Sequence, residues 1–221
     1  NLYVSREEHN QYLSPSEFWE SRPEGKPFFL YHKLGSSHAS VFKLTPDEAR
    51  TQRSALLEDD ELHDPKDVPV PSFVPDTPLF RERMALFYDA LTNVDKQVGE
   101  ILERLESEGE RENTVVVFWG DHGTGYPRGK IHAYDDGLRI PLIIRFPEKY
   151  QHLAPKSPGA TVDDLVLHMD LCATTLHLAG VPVPYHLHSQ KLCGSERDEP
   201  RDFVCGARDR LDNSPEMIRT I

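Results

Sequence analysis

The stretch Asn113-Thr114-Val115-Val116-Val117-Phe118-Trp119-Gly120-Asp121-His122-Gly123 sets the fold class. Three consecutive valines followed by two aromatic residues suit a strand buried on both faces, as in a parallel sheet. The apolar run stops abruptly at a glycine and a polar loop. Upstream, Phe80, Met84, Phe87, Leu91, Val94, Val98, Ile101 and Leu105 recur every three or four residues, which predicts one apolar stripe along a helix. Thr77 can cap that helix, Pro78 suits its first turn, and Gly109 can stop it. A long helix feeding such a strand is half of a βαβ unit. The expected fold class is therefore α/β, with a mostly parallel sheet flanked by helices.

Other segments extend this reading. Pro27 to Tyr31 reads as a short buried strand, closed by the polar turn Gly35-Ser36-Ser37-His38. Residues 42–75 carry many charges and prolines with no steady period, and are expected to run over the surface as a long excursion. Ile140 to Phe146 is a third expected strand, with Pro141 near its start. Leu165 to Leu178 reads as a helix stopped by Ala179-Gly180 and then Pro182 and Pro184. Phe203 to Ala207 is a further short strand.

The loop after the valine strand carries the chemistry. It reads Gly120-Asp121-His122-Gly123-Thr124-Gly125-Tyr126-Pro127-Arg128-Gly129-Lys130. Open α/β sheets place ligands just beyond the carboxyl ends of their strands. Asp121 and His122 offer an oxygen and a nitrogen to a cation, while Arg128 and Lys130 bring positive charge for an oxyanion. An ordinary turn with an Asp cap and solvated charge would show the same residue types.

Composition narrows the possible partners. The 221 residues hold 25 Lys plus Arg against 37 Asp plus Glu, a net charge of −12. That balance argues against a nucleic-acid binder, which needs a basic stripe facing phosphates. A mean hydropathy of −0.56, with no apolar run approaching roughly 18 residues, argues against a membrane-spanning helix. Residues 1–8 lack the apolar segment of a signal peptide, so localisation stays open. Cys172, Cys193 and Cys205 are odd in number and form no Cys-x-x-Cys pair, so neither a complete disulfide framework nor a zinc ribbon is expected.

Taken in order, several segments resemble the type I sulfatases of the alkaline phosphatase superfamily. Val115 to Gly123, followed by Arg128-Gly129-Lys130, Tyr134, Gly137, Arg139, Pro141 and Leu142, resembles the family's second signature region. Lys26 to Tyr31 with Ser37-His38 resembles its strand and substrate-side histidine. Asp64 to Pro71 with Val74 to Pro78 resembles the branch that includes heparan N-sulfatase. Asp170 to Leu176 with Leu178 to Pro182 resembles the helix before the family's C-terminal part, and Ala207-Arg208-Asp209-Arg210 also occurs in such relatives.

The resemblance implies an alkaline-phosphatase-like domain, incomplete here, over residues 1–180, and the start of a C-terminal subdomain over 181–221. It implies that Asp121 and His122 ligate a divalent cation, calcium in most relatives. Relatives often carry Asn at the position of His122, and imidazole suits a transition metal better than a hard cation. Lys130 would bridge the sulfate and the nucleophile. His38 would contact the sulfate or the leaving-group oxygen, and Arg128 and His132 would face substrate. The implied partner is a sulfated small molecule or glycan. A phosphoester or phosphonate hydrolase of the same superfamily, or a binding-only relative, would share most of these features. Relatives are often periplasmic, secreted or lysosomal.

Family chemistry uses a formylglycine made from a Cys-x-Pro-x-Arg type motif, together with an adjacent Asp pair, both in the N-terminal half. Asp59-Asp60, Asp135-Asp136 and Asp163-Asp164 do not follow a long apolar strand. Cys193-Gly194-Ser195-Glu196-Arg197 has the right Cys–Arg separation, but Ser195 replaces Pro, and a surface loop is expected there. Cys172 and Cys205 are expected as small core residues. His186-Leu187-His188 is expected as an exposed loop rather than a chelate. The chain is thus expected to be a fragment without its nucleophile, inactive by itself on sulfate esters.

Overall fold

The computed structural model describes residues 15–23, 25–38, 45, 47–48, 51, 57–211 and 214–221. The chain divides into two compact units, Asn1–Gly35 and Ser36–Ile221. In the first, helix α1 spans Pro15–Ser21. Phe18, Trp19 and Phe28 meet edge to face at ring separations of 5.3–5.7 Å, and the Arg22 guanidinium lies over Trp19 and Phe28. The run expected as a buried strand does not form one. Phe28 holds only an isolated bridge, while Phe29 and Tyr31 are exposed. Phe28 instead turns into the aromatic cluster.

In the second unit, helix α2 spans Pro78–Ser107. Its start is as expected: the Thr77 hydroxyl accepts from the Phe80 amide at 3.2 Å, and Pro78 fills the first turn. Gly109 adopts φ +69° just past the end. The buried face is rotated from the expected stripe. Met84, Ala85, Leu86, Ala90 and Val94 are buried along with Asp89 and Asn93, while Leu91 is exposed. Asp89 turns this face inward because its carboxylate accepts from the His63 amide at 2.9 Å and faces the His63 ring at 3.0 Å.

The segment before α2 is correspondingly less superficial than expected. Val68 is buried against Met84 and Ala85, with Phe80, Tyr88 and Tyr126 packed around them. Arg81 holds the segment down. It pairs with Asp76 at 2.6 Å and donates to the Lys66 carbonyl at 2.9 Å. The part of this excursion that falls on residues 42–44, 46, 49–50 and 52–56 lies outside the described residues.

Strand β1 is Val116–Trp119 and strand β2 is Leu142–Arg145, joined by a connection that holds the short helix α3, Asp135–Leu138. The two strands pair antiparallel, with Val116 opposite Arg145 and Trp119 opposite Leu142. The parallel sheet expected from the valine run is therefore not what the described residues show. A parallel neighbour needs a crossover, usually a helix of several turns, to bring the chain back. Here α3 is too short for that, and the chain simply reverses. All four β1 residues are half-buried rather than sealed on both faces, and Ile143 of β2 is exposed.

Helix α4 spans His168–Leu178. Strands β3, Gly206–Leu211, and β4, Ser214–Thr220, form an antiparallel hairpin with a bulge between Arg208 and Arg210. The buried face of α4 is Asp170, Ala173 and Thr174. Asp170 is fully buried and fully used. It accepts from the Leu167 amide at 2.6 Å, the Gln190 amide at 2.8 Å, and both terminal nitrogens of Arg201 at 2.5 and 2.8 Å. Thr174 accepts from the Leu192 amide at 2.9 Å. Among the described residues, no helix is long and apolar enough to cross a membrane.

Burial pushes the Asp170 carboxyl upward, but the Arg201 guanidinium and the two amides outweigh it and hold the group below the usual carboxylate range. Its stabilising contribution is thus present above that range and lost as pH falls through the lowered value. Asp170→Asn leaves the half-buried Arg201 without its counter-charge. It should cost about 3–5 kcal/mol in urea denaturation at neutral pH, and the gap to wild type should narrow in acid.

Candidate functional site

The loop from Gly120 to Gly137 is built on close approaches of backbone to backbone. The Gly120 amide donates to the Pro141 carbonyl at 3.1 Å, which extends the β1–β2 pairing by one step. A Cβ at Gly123 would lie 1.7 Å from the Asp136 carbonyl oxygen. One at Gly137 would lie 2.1 Å from the His132 carbonyl oxygen, so neither position can carry a side chain without rebuilding the loop. The Lys130 amide donates to the Thr124 carbonyl at 2.6 Å and closes the loop's inner ring. Tyr126 ties the loop to α2: its hydroxyl donates to the Arg83 carbonyl at 2.8 Å, and its ring packs on Phe80 and Phe87.

Asp121 and His122 sit at the start of this loop. The Asp121 side chain is 80% exposed, and its Oδ1 lies 3.6 Å from His122 Nε2. His122 Nδ1 donates to the Gly123 carbonyl at 2.7 Å. In the neutral ring that bond leaves the lone pair on Nε2, which lies toward the Asp121 carboxylate, as a metal-ligating histidine requires. The pair therefore suits a divalent cation as two of its donors. Among the described residues, no group of three His, Cys, Asp or Glu side chains gathers to complete a shell.

Arg128 and Lys130 follow. Arg128 has φ +69°, and its guanidinium lies between the rings of Phe73, at 4.9 Å, and Tyr134, at 5.4 Å. Two aromatic faces hold the charge in place while leaving the guanidinium edge available to an anion. Lys130 is half-buried, and among the described residues its ammonium has no ion pair. His132 Nδ1 receives an Arg208 N–H at 3.2 Å. His38 stands on another element, exposed after the turn at Ser36 and Ser37, where the Ser36 hydroxyl accepts from Gln97 of α2 at 2.7 Å. Asp121, His122, Arg128, Lys130 and His132 thus share one loop, while His38 belongs to a separate segment.

Several residues that support the loop had no role assigned from the sequence. His168, at the start of α4, donates from Nε2 to the Gly120 carbonyl at 2.9 Å, immediately before Asp121. Phe73 and Tyr134 form the sandwich around Arg128. Arg208 reaches His132 from the hairpin. Tyr134 and Arg208 lie within motifs visible in the sequence, but their contacts are long-range and carry no local signature.

The cysteine expectations reverse. Cys193 is buried, and Cys172 and Cys205 are exposed. Burial pushes the Cys193 thiol up to about 11, and Arg197 beside it is engaged by Asp164. A buried, protonated thiol is a poor nucleophile, so the Cys193–Arg197 run is structural. His186 and His188 are exposed, as expected.

The family model described as Sulfatase matches residues 7–181. An ulvan-active sulfatase of Formosa agariphila is 30% identical over 94% of this chain and 38% of its own length. The N-sulphoglucosamine sulphohydrolase of Homo sapiens is 31% identical over 73% of this chain and 33% of its own. The chain therefore spans well under half the length of these relatives. The solved structure of the sulfatase yidJ from Bacteroides fragilis matches 86% of this chain and 41% of its own, with a TM-score of 0.57 at 24% identity, which shows a shared fold.

Gly123→Ala should lower stability by about 1–3 kcal/mol, as overpacking does. Gly99→Ala on α2, where nothing lies within 4 Å of the added Cβ, should raise it by about 0.5–1 kcal/mol. Urea denaturation of both variants checks the opposite signs. In native protein near pH 8, Cys172 and Cys205 should react with a thiol reagent within minutes, and Cys193 only after unfolding.

Proposed function

This chain belongs to the sulfatase family, and on that premise we propose that it supplies one wall of an active site hydrolysing a sulfate ester or N-sulfate on a carbohydrate. One observation carries the reading. A single glycine-packed loop, fixed to β1, β2 and α2, presents a cation-ligand pair and a lysine without a counter-ion among the described residues. A lysine and a cation-ligand pair on one loop suit a ligand that brings negative charge.

In this reading, Asp121 and His122 are two donors to a divalent cation, which when bound would supply charge stabilisation to the sulfuryl oxygens. The carboxylate suits calcium, whereas the imidazole nitrogen favours a softer ion. Lys130 faces the transferring sulfuryl group and stabilises the negative charge on its oxygens. His38 lies on the leaving-group side and can donate a proton to the departing oxygen or nitrogen. Arg128, held between Phe73 and Tyr134, offers its edge to a sulfate or carboxylate of the sugar, and His132 offers a ring N–H to the same ligand. The formylglycine nucleophile of the family is assigned to the whole protein. Within these residues Cys193 does not fit that part, because Ser195 stands where the motif has proline and the side chain is buried. Residues 181–221 open a C-terminal subdomain beside this wall. The similarity to the N-sulphoglucosamine sulphohydrolase supports a sulfated amino sugar as the substrate class.

The test is turnover of glucosamine N-sulfate and of an aryl sulfate by the full-length protein. Lys130→Ala should lower kcat about 10²–10³-fold, the usual loss when one transition-state charge partner is removed, and Asp121→Asn should lower it further. The 221-residue chain alone should show no turnover above its own Lys130→Ala variant. Full activity in Lys130→Ala would overturn the assignment.

A further inference from the structure

Arg208 comes from outside the loop, from strand β3, and outside the residues matched by the family model. Its side chain is 10% exposed. One terminal nitrogen donates to both the Ile131 carbonyl and His132 Nδ1, and the other pairs with Glu216 of β4. A guanidinium extended across two elements to one short turn is costly to immobilise, so the turn is where its contacts must tell.

That turn is strained. Ile131 has φ +66°, a left-handed conformation in which a β-branched side chain crowds its own backbone. Such a conformation persists only where the surroundings hold it. Here the Ile131 carbonyl is held by Arg208. His132 is held three ways: its amide donates to the Gly129 carbonyl at 3.0 Å, its carbonyl abuts Gly137, and its ring is met by Arg208. Lys130 lies immediately before the strained residue, so the direction of its side chain depends on that turn.

The chemistry at His132 follows from the donor. A guanidinium has no acceptor and does not lose its protons in proteins, so the contacted nitrogen must carry the lone pair. The neutral ring is then protonated at Nε2. Among the described residues Nε2 has no partner, which leaves an N–H donor available to a ligand oxygen.

We infer that Arg208 is a positioning residue. From the C-terminal hairpin it holds the strained Ile131–His132 turn and fixes His132 as the Nε2–H tautomer, an N–H donor for an oxyanion beside Lys130. The oxyanion part rests on the sulfatase reading above; the tautomer part does not. The ion pair with Glu216 ties the same guanidinium to β4.

The tautomer is read without any variant, from the long-range ¹H–¹⁵N pattern of His132 in the full-length protein. Wild type should show Nε2–H with Nδ1 unprotonated; the opposite tautomer, or fast exchange between the two, overturns the inference. Arg208→Gln should abolish the fixed tautomer and lower kcat/KM for glucosamine N-sulfate about 10–100-fold, with added guanidinium restoring part of the loss to Arg208→Ala. In a His132→Phe background, Arg208→Gln should cost clearly less than in wild type. A fixed Nε2–H tautomer in Arg208→Gln, or full additivity with His132→Phe, overturns a role through His132. If the wild-type protein turns over no sulfated substrate, the sulfatase reading fails, while the tautomer measurement still decides whether Arg208 sets His132.

Discussion

The start of α4 and the segments around Gln190 and Arg201 depend on one buried carboxylate, that of Asp170. One buried group satisfies the first turn of α4, the Gln190 amide and both arms of Arg201. Its partner in the work is Thr174, one turn further along, which takes the Leu192 amide. The match is geometric. Residues four apart on a helix are separated by about 6 Å along its axis, and residues two apart on an extended chain by about 6.6 Å. The helix therefore serves the extended segment at 190–192 as a neighbouring strand would, with two side-chain oxygens in place of carbonyls. Arg201 meanwhile bridges back to Leu165, which closes the segment around the start of α4.

The position of α4 matters for the loop because His168 stands at its first turn. The same turn that Asp170 organises also brings His168 to the Gly120 carbonyl. The backbone just before Asp121 is thus held from α4, the middle of the loop from α2 through Tyr126, and its end from the hairpin through Arg208. Three elements that are far apart in sequence converge on a loop with little apolar surface of its own. Beyond the packing of Tyr126 on Phe80 and Phe87, the loop relies on glycine-enabled backbone contacts and on borrowed side chains.

Much of the local structure was legible. Thr77, Pro78 and Gly109 bound α2 as their chemistry requires. The family was legible as a resemblance carried by several segments in order, Val115 to Lys130 among them, rather than by the spacing of Asp121, His122 and Lys130 alone. Strand direction was not legible. The valine run reports burial, and burial is compatible with either direction of pairing. The buried face of α2 is not legible from periodicity, which ranks apolar residues and carries no sign that Asp89 turns inward to His63. The burial of Cys193 is not legible for a related reason: its loop is joined to a distant segment, with the Gly194 amide bonded to the Leu153 carbonyl.

By itself the sequence determined helix α2 with its caps, the valine strand, the family and the loop that carries Asp121, His122, Arg128, Lys130 and His132. These depend on interactions a few residues long, or on side-chain chemistry that spacing preserves. The tertiary structure decided how the strands pair, which helix face is buried, which thiol is hidden, and what holds each loop residue. It alone placed Arg128 between Phe73 and Tyr134 and brought Arg208 to His132. Those contacts join residues tens of positions apart, and their existence depends on how separate segments fill one another's gaps rather than on the character of any one segment.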